Sequence, residues 1–146
     1  MNRIIYAFIF ITIGNISCIK NTSTKKTRTA TCIWTYQNNN IIGNRLIFYP
    51  NDSNGKNRFY MADTNSYESI QLSIPFLATQ LFDMANPADS TSLSMNHLIN
   101  DTLFAGIPGT IGHITISSLS MNLATLNFMA IVDGDTCSGS CTDFPF

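Results

Sequence analysis

The stretch Gly112–Val132, GHITISSLSMNLATLNFMAIV, decides the fold class. Apolar and polar side chains alternate along Gly112–Leu119 and again along Leu123–Val132, and the short turn Ser120–Asn122 separates the two runs. Alternation with a period of two places successive side chains on opposite faces of a β-strand. Two such runs joined by a short turn predict an antiparallel hairpin.

The same alternation recurs upstream. Ala30, Cys32, Trp34 and Tyr36 share one side of a run over Thr29–Tyr36. Further strands, weaker towards the C-terminal end of this region, are predicted over Arg45–Tyr49, Arg58–Met61, Glu68–Phe76, Leu93–Ile99 and Thr102–Ala105.

Turn-forming and strand-breaking residues separate these predicted strands. The Asn-Gly pair within Asn51–Gly55 predicts a hairpin turn. Pro75 cannot donate to a ladder, so its strand is predicted at a sheet edge or bulged near its end. Leu77–Met84 has apolar residues on one helical face, which predicts a short helix. Six to eight short strands indicate a mainly β fold, an antiparallel β-sandwich or small β-barrel.

Composition bounds the class of protein. A length of 146 residues suits one domain. Hydrophobic residues make up 45% of the chain and charged residues only 12%, which excludes disorder throughout. The net charge of −1 provides no basic field, so a nucleic-acid partner is not expected.

The N-terminal segment predicts export. Met1–Arg3 carries one positive charge, and Ile4–Ile13 is apolar except for Thr12. This order is typical of a secretory signal. A membrane-spanning helix needs about 20 apolar residues, which is more than this run offers, and a buried core strand is the other alternative. We therefore expect residues 1–17 to be a signal peptide.

Ile16, Ser17 and Cys18 resemble the end of a bacterial lipoprotein signal, the lipobox. The resemblance implies a lipid on Cys18, which would become the N-terminus. Two or more acyl chains hold a protein stably on a bilayer, so the membrane is the expected partner of this end. Residues 18–28 would be a flexible polar tether. Its cations, at positions 20, 25, 26 and 28, are solvated, lie near anionic headgroups, or both. Residues 29–146 would form a single β domain.

A second resemblance lies near the C-terminus. Gly112–Ile116, followed after about eight residues by Ala124–Ala130, is similar to the ending of small Bacteroidota-type lipoproteins of unknown function. That family implies a β-fold and a place in the bacterial cell envelope, with the outer membrane favoured over the inner. It provides no catalytic residues.

Four cysteines are present, and an exported domain can form disulfides. Cys137 and Cys141 flank Ser-Gly-Ser, which reads as a tight flexible loop, so a Cys137–Cys141 bridge is the first expectation. The alternative pairs Cys32 with one of them. If Cys18 carries lipid, one thiol is left over.

No catalytic set, metal site or cofactor is predicted. His97 and His113 lie on predicted strands, where solvent exposure or a polar neighbour is a more common role than catalysis. Trp34, Tyr36, Tyr49 and Tyr60 belong to an aromatic cluster that is expected to be core, or else, if exposed on one face, a binding surface for a protein or carbohydrate. A non-enzymatic binding or structural module is therefore favoured. The alternatives are a small secreted hydrolase and an apolar-ligand-binding β-barrel.

Overall fold

The computed structural model describes residues 30–99 and 102–146, and for residues 98, 99 and 102–104 it describes the backbone only. The signal peptide and tether predicted over residues 1–28, with Cys18, lie outside the described residues. The strands are β1 Thr31–Tyr36, β2 Asn39–Gly43, β3 Arg45–Tyr49, β4 Asn57–Ala62, β5 Ser69–Ile74, β6 Leu81–Asp83, β7 Ser92–Ile99, β8 Thr102–Ser120, β9 Leu123–Val132 and β10 Asp135–Pro145. A 3₁₀ turn covers Pro87–Asp89. In the described part of the chain, no helix has the length and apolar character needed to cross a bilayer.

The strands form one curled antiparallel sheet in the order β2-β1-β10-β9-β8-β7-β5-β4-β3, with β6 also paired to β8. Only Asn44 separates β2 from β3, although these strands lie at opposite ends of that order. The backbone N–H of Asn44 donates to the carbonyl of Ala62 at 2.9 Å, and its side-chain oxygen accepts from the N–H of Thr64 at 3.0 Å. One bent segment therefore borders both ends of the sheet, which closes it almost completely into a barrel. The prediction of a mainly β, antiparallel fold is confirmed.

Alternate side chains fill the interior of this sheet. Trp34 and Tyr36 in β1 and Leu126 and Phe128 in β9 are at most 3% exposed, so one side of each alternating run faces inward. Gly139 of β10 lies opposite Phe128. A β-carbon at Gly139 would stand 2.6 Å from the tip of the Phe128 ring and 2.6 Å from the Ile33 carbonyl oxygen. Glycine is thus required there by close packing between neighbouring strands.

A disulfide joins Cys32 of β1 to Cys141 of β10, which are directly opposed in the ladder. The predicted Cys137–Cys141 bridge is wrong, and Cys137 is a buried free thiol. The predicted loop is strand β10, in which residues four apart lie about 14 Å from each other at 3.4 Å per residue. This separation exceeds the reach of a disulfide.

Two local predictions also differ from the structure. The helix predicted over Leu77–Met84 is wrong, because bends and turns lead into and out of the short strand β6, whose middle residue Phe82 is fully buried. The edge position predicted for the strand of Pro75 is wrong as well, since β5 lies between β4 and β7. Pro75 follows the end of β5 at Ile74, where no ladder donor is needed.

Candidate functional site

The predicted aromatic surface divides between the two sides of the sheet. Trp34 and Tyr36 are 1% and 0% exposed, so the expectation that they are core is confirmed and the alternative that places them on a binding surface is wrong. Tyr49, with 47% of its surface exposed, and half-buried Tyr60 lie on the outside. The even-numbered residues of β1 face inward, whereas the even-numbered Arg58 and Tyr60 of β4 alternate with the buried Phe59 and therefore face outward.

The outer side of β3, β4 and β5 brings polar and aromatic side chains together. Tyr49 pairs with Arg58 across β3 and β4, and Ile47 pairs with Tyr60. Tyr60 in turn pairs with Gln71 of β5. Alternation along β3 also places Arg45 on this side. We call these six outward residues, Arg45, Ile47, Tyr49, Arg58, Tyr60 and Gln71, the β3–β5 face.

An open depression of about 420 Å³ lies on this face. It is lined by Tyr49, Pro50, Asp52, Arg58, Tyr60 and Gln71. Two aromatic rings, an amide and a guanidinium therefore border one concave surface, a combination suited to holding a polar ligand by ring contact and hydrogen bonds.

The turn between β3 and β4 fixes the charged part of the depression. Asp52 accepts the backbone N–H groups of Asn54 and Lys56, both at 2.8 Å, and its second oxygen contacts the Nε of Arg58. The hydrogen bond from Lys56, with that from Asn54 and the charge of Arg58, lowers the pKa of Asp52. The carboxylate is therefore ionised at neutral pH, and it orders both the hairpin and the Arg58 side chain.

A second polar cluster lies inside the barrel. The Nδ1 of His97 is 2.9 Å from an oxygen of Glu68, and the Tyr36 ring meets the His97 ring edge-on with centroids 4.9 Å apart. Burial raises the pKa of Glu68. Burial and the neighbouring Glu68 charge raise the pKa of Cys137 to about 12. The Cys137 thiol is therefore protonated at neutral pH and is a weak nucleophile.

The histidines predicted on strands have different surroundings. His97 is 4% exposed and paired with Glu68, whereas His113 of β8 lies half-buried between Asp83 of β6 and Met129 of β9 in the ladder. The neighbouring Ser69 alternates with Glu68 and lies on the outer side, where its hydroxyl accepts from Asn96 at 3.0 Å. In residues 30–99 and 102–146, no cluster of three His, Cys, Asp or Glu residues is arranged to hold a metal ion.

Comparison of the chain with protein families, curated proteins and solved structures found no match. Sequence reasoning missed Asp52, Arg58 and Gln71 as parts of the site. The hairpin signal at Asn51–Gly55 could have indicated that Asp52 caps the turn, because aspartate side chains commonly accept backbone N–H groups two residues on. The place of Gln71 depends on the register between β4 and β5, for which the sequence offers no local signal.

Proposed function

We propose that this protein is a cell-envelope lipoprotein whose folded part is a non-enzymatic binding module. The residues that support the anchor are the apolar run Ile4–Ile13 and the lipobox-like Ile16–Cys18. A lipid on Cys18 and the polar segment 18–28 would hold the domain near the bacterial membrane, with the outer membrane favoured.

The observation that carries the binding role is the exposed Tyr49 beside Tyr60, Arg58 and Gln71 in an open depression. Tyrosine contributes a large apolar ring with little loss of conformational entropy, and it is enriched at recognition surfaces. The amide and guanidinium groups supply directional hydrogen bonds. Such a surface fits a carbohydrate or a segment of another protein.

The two alternative functions receive less support from the geometry. A hydrolase needs an activated nucleophile beside its base, but Ser69, the serine next to Glu68 in sequence, bonds to Asn96 on the outer side of the sheet, and burial raises the pKa of the Cys137 thiol to about 12. A barrel for an apolar ligand needs an open interior, whereas Trp34, Phe59 and Phe144 are fully buried side chains within this one.

The anchor is tested by mass spectrometry of the full-length protein recovered from a bacterial envelope, with Cys18→Ser as the variant and Cys137→Ser as the matched control. We expect wild type and the control to begin at a lipid-modified Cys18 and to sediment with membranes. Cys18→Ser should lose both properties. An intact Met1 in the wild type would overturn the proposal.

The binding role is tested by probing a glycan microarray and a panel of purified envelope proteins with the full-length chain. We expect ligands whose signal falls at least tenfold when Tyr49 and Tyr60 are both replaced by alanine. The control is Tyr67→Ala, which removes a tyrosine that is 72% exposed in the turn between β4 and β5. Ligands that respond equally to both changes, or no bound ligand at all, would refute a role for this surface.

A further inference from the structure

We infer that the β3–β5 face binds an acidic glycan, with the tyrosine rings against the sugar rings and the arginines on the carboxylates. This inference rests on the binding role proposed above and names the chemical class of its ligand. It follows from the distribution of charge, the placement of the arginines and the shape of the face.

Positive charge in the folded part is confined to one region. After residue 29, the only Lys and Arg residues are Arg45, Lys56 and Arg58, all on or between β3 and β4. Seven of the nine acidic residues follow residue 63, where Lys and Arg are absent. An anionic ligand is therefore repelled by most of the domain and is favoured only near this face.

The two arginines stand at opposite corners of the face. Arg45 pairs with Ala62, and Arg58 precedes Ala62 by four residues on the same strand. At 3.4 Å per residue, this offset is about 14 Å along the strands. Tyr60 lies between the two corners, opposite Ile47. The face thus offers two cationic groups separated by an aromatic floor, which matches an extended ligand that carries repeated negative charges.

Arg58 is held in advance of binding. Asp52 contacts its Nε and is itself fixed by two backbone N–H groups of the turn. The rest of the guanidinium fork can donate to a carboxylate, and a side chain that is already ordered loses less entropy on binding. Asp52 offsets part of the charge, so this corner contributes directional hydrogen bonds more than long-range attraction.

The floor of the face favours a sugar over an acidic peptide. The depression is open, and it is bordered by Tyr49, Tyr60 and Gln71. A pyranose ring can lie flat against a tyrosine ring while its hydroxyl groups bond to the amide of Gln71. The aliphatic side chains of Asp and Glu offer no such ring, so an acidic peptide would use the arginines but not the tyrosine surface.

The experiment measures binding of an oligogalacturonate to the full-length protein by isothermal titration calorimetry. The matched ligand is the same oligomer with its carboxyl groups reduced to alcohols. We expect the acidic oligomer to bind at least tenfold more tightly than the reduced one, and more weakly as salt is raised. Arg45→Gln and Arg58→Gln should each lose most of this preference. Lys56→Gln is the control, because it removes a cation from the loop but keeps the backbone N–H that holds Asp52.

Three results would overturn the inference. Equal affinity for the acidic and reduced oligomers would remove the role of charge while leaving the binding module intact. An oligoglutamate that binds as tightly as the oligogalacturonate would replace the glycan with a peptide. Failure to bind any acidic oligomer, while another microarray ligand depends on Tyr49 and Tyr60, would refute the inference and not the proposed function.

Discussion

The Cys32–Cys141 disulfide should contribute much of the stability of the domain. It joins residues 109 positions apart, so it encloses nearly the whole described sheet. In the chain-entropy treatment, a crosslink closing a loop of about 100 residues disfavours the unfolded state by about 4.7 kcal/mol at 25 °C. This is a large part of the 5–15 kcal/mol that is typical for folded domains. Replacing both cysteines by alanine should therefore lower the free energy of unfolding by about 3–5 kcal/mol.

Urea unfolding followed by tryptophan fluorescence measures this change directly. Trp34 is the only tryptophan, is 1% exposed and lies two residues from Cys32. The reductant-treated wild type should match the double alanine variant. Cys137→Ala is the control, because it removes a buried thiol that is not crosslinked and should cost only about 1 kcal/mol. A wild-type midpoint that reductant leaves unchanged would refute the argument, as would equal losses in the control and the double variant.

Three further changes test the packing and the buried charge. Gly139→Ala should lower the free energy of unfolding in urea by about 1–3 kcal/mol, because the added β-carbon would meet Phe128. The control Ser140→Ala, on the outer side of the same strand, should change it by no more than about 0.5 kcal/mol. Equal effects of the two changes would contradict the packing argument. Phe144→Ala should cost about 3–5 kcal/mol by calorimetry, because the ring is fully buried against Phe59 at a centroid distance of 5.1 Å, and a loss below 1 kcal/mol would show that this contact is dispensable. Burial raises the pKa of Glu68 in the folded state, so the folded protein favours the protonated carboxyl group. The contribution of Glu68 to the free energy of unfolding is therefore present below the ordinary carboxyl pKa and is lost as the pH rises through the raised pKa. The stability of wild type relative to Glu68→Gln, measured by urea unfolding from pH 4 to pH 7, should therefore fall as the pH rises, and a flat difference would rule out the shift.

The local sequence pattern was sufficient to predict the limits of strands whose inward residues are all apolar. β9 begins and ends where the alternation of Leu123–Val132 predicts. β3 also has its predicted limits, because Pro50 and the Asn-Gly turn bound its apolar run. In these segments the propensity of each residue agrees with the side of the sheet on which it lies.

β10 could not be predicted in the same way. Its sequence between Cys137 and Cys141 is Ser-Gly-Ser, which has low strand propensity and resembles a loop. The strand forms because Gly139 makes room for Phe128 of β9 and Cys141 is bonded to β1. Both requirements come from residues that are neighbours only after the sheet has formed.

The candidate site was likewise predictable only in part. The aromatic cluster includes Tyr49 and Tyr60, which line the depression, but the sequence pattern does not separate them from the buried Trp34 and Tyr36. The side on which a residue lies is set by strand register, and a turn or bend can reverse the parity between one strand and the next. The pairing of Glu68 with His97 depends on how β5 aligns with β7, and their separation of 29 residues has no periodic signature.

The pairing of the first strand with the last has a consequence for the order of folding. Thr31 of β1 is aligned with Thr142 of β10, so this ladder cannot form until the chain has been synthesised through β10. Contacts so distant in sequence carry a large loop-closure entropy and slow the rate-limiting step. A nascent chain that has emerged only as far as residue 134 contains β1–β9 and lacks β10. In that chain β1 can pair only with β2, because its other neighbour in the sheet is β10. Closure of the barrel therefore waits until β10 is available, and truncation of the last twelve residues, 135–146, should leave both β1 and β9 with an exposed ladder edge.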